Sequence, residues 1–295
     1  MKTVFASTGG TRQGMKASLT LYLHENFEEF AWKKRPVVIV VPGGAYEWVS
    51  DREADPVAMQ FLAMGYHAAV LRYTCAPVRY PDTLLQLATS HLYVRRHAEE
   101  FGIDSNAVFS VGFSAGGHLV CSYCENWKRD FVKKALEKDI SYGFVKQKES
   151  VDYDEIKPNG MILGYPVITS GDYAHRGSID NLLGPESEYE SPERYRELLD
   201  EVSLEKHVNG DVPPAFIWGT AEDVSVPPMN SVMLVSALLE KNIPVEYHLF
   251  RQGGHGLALS DQRTASASGS NQIYTQNSCW IEMAHAWIEG LRNGN

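Results

Sequence analysis

The sequence has few cysteines and fewer positive than negative charges. Only 4 of its 295 residues are cysteine. Cys121 and Cys124 form a C-x-x-C, but no second C-x-x-C and no paired histidine accompany them, which favours two buried helical thiols over a redox or metal motif. The 27 basic residues against 37 acidic ones give a net charge of −10. This balance argues against a nucleic-acid partner or an anionic membrane partner.

The chain also lacks the features of targeting and membrane-spanning segments. Its first ten residues, MKTVFASTGG, carry one lysine and no apolar h-region, and no later apolar run is long enough to cross a bilayer. We therefore expect a cytoplasmic protein with no membrane partner. No internal repeat or low-complexity tract is present, and TASASGSNQ at 264–272 is expected to form a loop. The oligomeric state stays open, a homo-oligomer included.

Short apolar segments alternate with amphipathic ones, a pattern that predicts an α/β fold with a mostly parallel sheet and helices on both faces. The run VVIVV at 37–41 predicts a central strand buried on both faces. ASLTLYLHEN at 17–26 alternates in polarity and predicts an early edge strand. Pro81 is expected to open one long helix that ends at Gly102. We expect a single domain over 1–295.

Two stretches depart from this alternation. Residues 127–158 are charged and helix-prone, and residues 167–212 are polar with a helical segment, SPERYRELLDEV. Both are expected above the carboxyl edge of the sheet. For the first, a surface excursion without a binding role is favoured. For 167–212, a small cap or lid and a plain surface excursion are both open.

The most specific motif is a G-x-S-x-G at residues 112–116, centred on Ser114. It follows a buried strand pattern and precedes a helical one, the context in which this motif forms a sharp strand-to-helix turn. Such a turn strains the serine backbone and raises Oγ above the sheet. Small residues two before and two after the serine keep the strand and the helix from clashing. This context favours a nucleophile over a serine in an ordinary glycine-rich turn.

A serine nucleophile needs a base, and the base needs an orienting acid. His255 lies in GGHG after a predicted strand, where the backbone can place its ring freely. His248 falls within strand alternation and is expected to be structural. His118 lies one helical turn after Ser114 and is expected to pack near the site without being the base. Glu222 and Asp223 follow the preceding strand, and Asp223 is favoured because it begins a turn before a helix.

Four motifs together carry a resemblance to a known family: PGGAY at 42–46, GFSAGG at 112–117, GTAEDVSVP at 219–227 and GGHG at 253–256. The chain resembles α/β-hydrolases of the esterase/lipase group with an HGGG-type loop, most of all bacterial acetyl-xylan or sugar-ester esterases. The resemblance implies the α/β-hydrolase fold. It also implies Ser114 as nucleophile, Asp223 as orienting acid and His255 as base.

The resemblance further implies an oxyanion hole made by the amides of Gly44, Ala45 and Ala115, each worth roughly 3 kcal/mol to the transition state. The chain departs from the family loop in two places. Pro42 stands where the family carries histidine, and Ala45 where it carries a third glycine. Loss of that histidine removes a side chain that anchors the loop, whereas alanine still offers its N–H.

The expected activity is a serine carboxylesterase acting on small soluble esters, with short-acyl or acetylated sugar esters as the substrate class. Neither a metal nor an organic cofactor is implied. Tyr46, Trp48 and Tyr165 follow strand ends and are candidate substrate-binding aromatics, although such residues more often serve packing. Two alternatives stay open: an amide hydrolase, such as a formamidase or small peptidase, on the same triad, and a hydrolase-fold binding protein without catalysis.

Overall fold

A computed structural model describes residues 1–7, 16–138, 150–267 and 272–294. Within them, eight strands form one sheet in the order β1-β2-β4-β3-β5-β6-β7-β8. The strands are Lys2–Ser7 (β1), Ser18–Leu23 (β2), Arg35–Val41 (β3), His67–Arg72 (β4), Ile103–Phe113 (β5), Gly160–Gly164 (β6), Ala215–Thr220 (β7) and Val245–Phe250 (β8). Strands β3 to β8 pair in parallel, and the β1–β2 and β2–β4 pairings are antiparallel. The predicted mostly parallel sheet is confirmed.

Helices cover both faces of this sheet. They are Asp55–Ala63 (α1), Asp82–Arg96 (α2), Ala98–Phe101 (α3), Ala115–Asn126 (α4), Asp130–Lys138 (α5), Tyr153–Ile156 (α6), Arg176–Leu183 (α7), Pro192–Glu201 (α8), Met229–Glu240 (α9) and Trp280–Asn293 (α10). Within the described ranges, no helix is long and apolar enough to cross a membrane.

Strand β3 shows how the two layers form. Successive side chains of a strand point to opposite faces. Val37, Ile39 and Val41 accordingly join the hydrophobic core that contains α2, α4 and α9, while Val38 and Val40 join the core that contains α1 and α10. All five are fully buried. A strand that is covered by helices on both faces therefore needs apolar residues at every position, as in this run.

Two predictions about strands and helices differ from the structure. The segment 17–26 contains β2, which pairs on both sides, and the edge strand is the unpredicted and largely exposed β1. The single helix predicted to begin at Pro81 breaks at His97, whose φ of −101° and ψ of 12° leave helical geometry. Its ring stacks on Phe101 at 5.3 Å in the short helix that follows.

The described parts of the first insertion, residues 127–138 and 150–158, lie at the opposite edge of the sheet from the one predicted, and residues 139–149 lie outside the described residues. Helix α4 runs back from the carboxyl end of β5, so residue 127 starts at the amino edge. Trp127 Nε1 donates to the carbonyl of Asp211 at 2.9 Å, just before β7 begins. The side chain of Asn159 accepts at 2.9 Å from the amide of Val108, which lies one residue before β5 begins to pair with β6. Because a helix after a parallel strand reverses direction, an insertion that follows it belongs to the amino edge.

The second insertion begins at the carboxyl edge, after β6, and crosses the outer surface of α4. Asn181 in α7 donates to the carbonyl of Ala45 at 3.0 Å. Further along, the carbonyl of Val202 lies 2.9 Å from His118 Nε2 in α4. Its role as a cap stays a prediction. The predicted loop at 264–272 is described only for 264–267 and 272, and its remaining positions lie outside the described residues.

Candidate active site

Ser114 occupies the turn between β5 and α4 in a strained conformation, with φ of 50° and ψ of −119°. The flanking glycines explain how the turn can be so sharp. A Cβ on Gly112 would lie 2.3 Å from the carbonyl oxygen of Gly116, and a Cβ on Gly116 would lie 2.1 Å from that of Val41. No side chain fits at either position. The backbone therefore holds the serine at the carboxyl edge, as the motif predicts.

Two hydrogen bonds join Ser114, His255 and Asp223 into one chain. His255 Nε2 lies 2.8 Å from Ser114 Oγ, and His255 Nδ1 lies 2.7 Å from Asp223 Oδ2. Since the aspartate carboxylate can only accept, Nδ1 carries a proton and Nε2 of the neutral ring is free to accept from the serine. The three side chains that the sequence singled out therefore meet in the order Ser114, His255 and Asp223, which is the order that their predicted roles as nucleophile, base and acid require.

The carboxylate of Asp223 is fixed on its second oxygen as well. The amides of Ser225 and Val226 donate to Asp223 Oδ1 at 3.0 and 2.9 Å, and the side chain is buried. Glu222, the alternative acid, points elsewhere and accepts from the amide of Gly253 at 3.3 Å. The geometry thus favours Asp223 as the partner of His255, and Glu222 as a contact to the loop that carries it.

The loop after β3 brings two candidate oxyanion amides to the same place. Gly44 and Ala45 adopt φ of 125° and 55°, and both line a cavity with Ser114. Over the described parts of the chain, no hydrogen-bond acceptor faces the amides of Gly44, Ala45 or Ala115. These three donors are therefore available to a substrate carbonyl oxygen. Their role in an oxyanion hole stays a prediction.

Glu53 anchors this loop, a role that no sequence pattern indicated. Its Oε2 accepts from the amide of Gly43 at 2.8 Å and its Oε1 accepts from the hydroxyl of Tyr165 at 2.7 Å. The side chain is buried. The hydroxyl of Tyr73 adds a bond to the carbonyl of Pro42 at 2.9 Å. A carboxylate from a later turn thus holds the loop in which proline replaces the family histidine.

Tyr165 extends the same network to the histidine loop. Its hydroxyl accepts from the amide of Ala258 at 2.8 Å, and its ring lies edge-on to His255 with centroids 5.0 Å apart. Burial, and then the nearby Glu53, raises the pKa of Tyr165 well above its ordinary value, so the phenol stays a donor. The predicted substrate contact is therefore replaced by a buried structural one: Tyr165 connects Glu53 to the loop that carries His255.

Tyr46, also predicted to contact the substrate, is instead buried in the core. It is 2% exposed, its hydroxyl lies 2.9 Å from His118 Nδ1, and it packs edge-on to Tyr73. Burial lowers the pKa of His118 to about 4, so that ring is neutral. Its Nε2 faces the carbonyl of Val202 at 2.9 Å, which makes Nδ1 the acceptor for Tyr46. The left-handed φ of 58° at Tyr46 accompanies a side chain directed into the core.

A cavity of about 590 Å³ opens beside Ser114. Trp48, the third predicted aromatic, is 57% exposed and lies in its wall. The remaining wall combines the oxyanion loop, the turn 50–53 and the histidine loop with side chains from elsewhere: His175, Ser225 and Gln272. A cavity of this size and mixed polarity suits a small ester.

Arg52 joins two sides of this cavity through two of its guanidinium nitrogens. Its Nε donates to the carbonyl of Thr264 at 2.7 Å, and its Nη2 donates to the carbonyl of Gly256 at 2.6 Å. The turn 51–53 therefore supports both the oxyanion loop, through Glu53, and the histidine loop, through Arg52. Sequence reasoning could not find either residue, because their partners lie far away in the chain.

The C-x-x-C cysteines are the two buried helical thiols that the sequence favoured over a redox or metal motif. Cys121 and Cys124 are buried and free in α4, and burial raises the pKa of each thiol well above its ordinary value. In the described ranges, no cluster of three or more His, Cys, Asp or Glu side chains is arranged to hold a metal ion.

Comparison with known proteins places this chain in a family. The BD-FAE family model matches residues 19–238. An endo-1,4-beta-xylanase B from Butyrivibrio fibrisolvens is 34% identical over 84% of the chain, and an acetylxylan esterase from Xylanibacter ruminicola is 26% identical over 83%. The alignments cover 36% and 44% of those two proteins, so the chain spans less than half the length of either.

Two solved structures are similar over nearly the whole chain. A carboxylesterase, Cest-2923, from Lactobacillus plantarum WCFS1 has a TM-score of 0.78 at 26% identity, covering 99% of this chain and 98% of its own. An acetyl ester-xyloside bifunctional hydrolase from Caldicellulosiruptor lactoaceticus has a TM-score of 0.74 at 29% identity, covering 94% and 89%. The predicted α/β-hydrolase fold and ester-hydrolase class are confirmed.

Proposed function

The chain belongs to the BD-FAE family, and we propose that it is a serine carboxylesterase acting on small soluble esters through Ser114, His255 and Asp223. The observation that carries this proposal is the bridging position of His255, with one ring nitrogen 2.8 Å from Ser114 Oγ and the other 2.7 Å from Asp223 Oδ2. A neutral imidazole so held can take the serine proton and give it back.

The reaction follows from these atoms. Ser114 Oγ attacks the ester carbonyl carbon as its proton passes to His255 Nε2, and the carbonyl oxygen becomes an oxyanion facing the amides of Gly44, Ala45 and Ala115. The carbon–oxygen bond to the alcohol then breaks, and His255 returns the proton to the leaving oxygen. Water next attacks the acyl-enzyme, losing a proton to His255, and the acid is released from the regenerated serine.

We infer that the substrates are short-acyl esters of polar alcohols, with acetylated sugars as the leading class. The cavity beside Ser114 measures about 590 Å³, the scale of a small-molecule site, and its wall mixes Trp48 with hydroxyl, amide and imidazole groups. Two of the similar proteins described above carry acetyl esters in their names, an acetylxylan esterase and an acetyl ester-xyloside hydrolase.

The test is pre-steady-state hydrolysis of p-nitrophenyl acetate. We expect a burst of p-nitrophenol close to one equivalent of enzyme if deacylation limits turnover, and labelling of Ser114 by a fluorophosphonate in any case. Ser114→Ala should lose both, whereas Ser278→Ala, which removes a hydroxyl that does not line the cavity, should keep both. A wild-type enzyme that is neither labelled nor active would overturn the proposal. Equal or faster turnover of p-nitroacetanilide would instead favour the amide-hydrolase alternative.

A further inference from the structure

His175 contributes a cavity wall beside Ser114 and His255 although it comes from the insertion 167–212. It precedes α7 and caps that helix with its side chain. The amide of Ser178 donates to His175 Nδ1 at 3.2 Å and also to the His175 carbonyl oxygen. His175 Nδ1 lies 2.9 Å from Ser178 Oγ as well. An amide N–H can only donate, so Nδ1 is the acceptor and the proton of the neutral ring sits on Nε2.

The neutral form of this ring is favoured by its surroundings. Burial, and then the proximity of His255, lowers the pKa of His175, while Asp223 acts in the opposite direction. In the part of the chain that the structure describes, no protein group accepts from His175 Nε2. The ring therefore offers one N–H donor to whatever occupies the cavity.

Helix α7 fixes this donor relative to the reacting centre. Its inner side chains Ile179, Leu182 and Leu183 are buried in the core, and its Asn181 donates to the carbonyl of Ala45 at 3.0 Å. One helix therefore places His175 in the cavity wall and also holds the oxyanion loop. A donor on such a support is pre-organised, and little entropy is lost when it binds.

From this arrangement we propose that His175 recognises the alcohol part of the substrate by donating Nε2–H to a hydroxyl oxygen near the ester. The proposal rests on the proposed esterase function and narrows its substrates to esters of hydroxyl-bearing alcohols. The leaving alcohol must lie beside His255, which protonates it, and His175 lines the same cavity as His255 and Ser114, on the side of Ser225. The donor is therefore on the alcohol side of the cavity.

A neutral oxygen fits this wall better than an anionic one. The cavity lining includes the carboxylates of Asp51 and Glu53, while the guanidinium of Arg52 is already bound to two carbonyl oxygens. A carboxylate on the substrate would lie near the Glu53 carboxylate and would find two of the Arg52 donors already occupied, whereas Asp51 is ion-paired with Arg72 at 3.0 Å. A sugar or polyol hydroxyl meets no such repulsion and can accept from the imidazole.

The experiment compares glycerol 1-acetate with propyl acetate, which share the acyl group and the carbon chain and differ only in hydroxyls. The quantity measured is the ratio of their kcat/KM values within each enzyme variant. His175→Asn keeps a side chain that caps helices well but is too short to reach the Nε2 position. His175→Gln places an amide donor near that position. We expect His175→Asn to lower the glycerol-ester preference by about 2- to 12-fold, and His175→Gln to stay within about 3-fold of wild type.

Each outcome bears on one claim. A His175→Asn variant that keeps the wild-type ratio, or a wild type with no preference for the glycerol ester, overturns the role of His175 while ester hydrolysis stands. Equal losses in His175→Asn and His175→Gln, with unchanged melting temperatures, also overturn it because a shape effect would then explain both. A wild type inactive on p-nitrophenyl acetate and both alkyl acetates overturns the esterase function itself. Melting temperatures within a few degrees of wild type confirm that the variants fold.

Discussion

Glu53 Oε2 accepts a hydrogen bond from the amide of Gly43 at 2.8 Å, which ties a buried carboxylate to the loop that carries the candidate oxyanion amides. Its other oxygen binds the hydroxyl of Tyr165, which in turn binds the amide of Ala258. One side chain therefore connects the oxyanion loop with the loop that holds His255. We expect the relative position of Ser114, His255 and the candidate oxyanion amides to depend on this connection.

We predict that Glu53→Ala lowers kcat for p-nitrophenyl acetate by about 10- to 100-fold, because a shift of about 1 Å in a positioned donor costs up to about 100-fold. Glu53→Gln should lose less, since its amide can accept from Gly43 and donate to the oxygen of Tyr165. Steady-state kinetics with thermal melts make the comparison. Glu47→Gln removes an exposed carboxylate from the same loop and serves as control. A Glu53→Ala enzyme with wild-type kcat would show that the loop holds its geometry without this carboxylate.

The choice between the two acids of the GTAED segment can be tested directly. Asp223→Asn keeps an oxygen for the amides of Ser225 and Val226 but presents an N–H₂ to His255, which favours the wrong tautomer. We predict a fall in kcat of about 10⁴-fold with an unchanged fold. Glu222→Gln, with its weaker contact to Gly253, should change kcat by less than about 10-fold. The reverse ranking would assign the acid to Glu222.

The substitution Tyr165→Phe should separate the contribution of the hydroxyl to stability from that of the ring. The ring can still pack against His255, but the amide of Ala258 and one oxygen of Glu53 lose a buried partner. We predict a loss of about 1 to 3 kcal/mol in the free energy of unfolding. A double-mutant cycle with Glu53→Gln, measured by urea denaturation, should give a non-additive term of at least about 0.5 kcal/mol. Strict additivity would mean that the two side chains act separately.

Glu125 in α4 makes stability depend on pH in a direction opposite to most carboxylates. Burial raises its pKa well above its ordinary value of 4.5, so the folded state retains a proton that the unfolded chain releases. The folded state then binds more protons, and its contribution to stability, complete below pH 4.5, is lost as pH rises toward the folded pKa.

We therefore predict that Glu125→Gln, which stays neutral, is more stable than wild type at pH 8 by about 1 to 3 kcal/mol. The difference should shrink below pH 4.5, the ordinary value of this carboxyl. Denaturant unfolding at several pH values measures it. The exposed Glu240→Gln should show no such trend. A difference that grows as pH falls would contradict a raised pKa at Glu125.

The features predicted correctly from sequence are those written in contiguous residues. The run at 37–41 indicated a doubly buried strand, and the glycines around Ser114 indicated a turn that admits no Cβ. His255 between glycines and Asp223 before a helix were chosen in the same way, and the structure joins them to Ser114 by hydrogen bonds, while their catalytic roles stay predictions. The predicted sheet edge of the first insertion was wrong, because the edge at which an insertion begins depends on where the preceding helix ends.

What local pattern could not supply is which distant side chains complete the site. Glu53 and His175 lie in segments with no motif, and each reaches the site only because strands β3, β5 and β6 pair in parallel and deliver their following loops to one edge. Tyr46 and Tyr165, chosen by position next to strand ends, are turned inward by left-handed backbone angles and by buried hydrogen bonds. The motif of the predicted nucleophile is local in sequence. Its support, and the cavity that selects a substrate, arise from long-range packing.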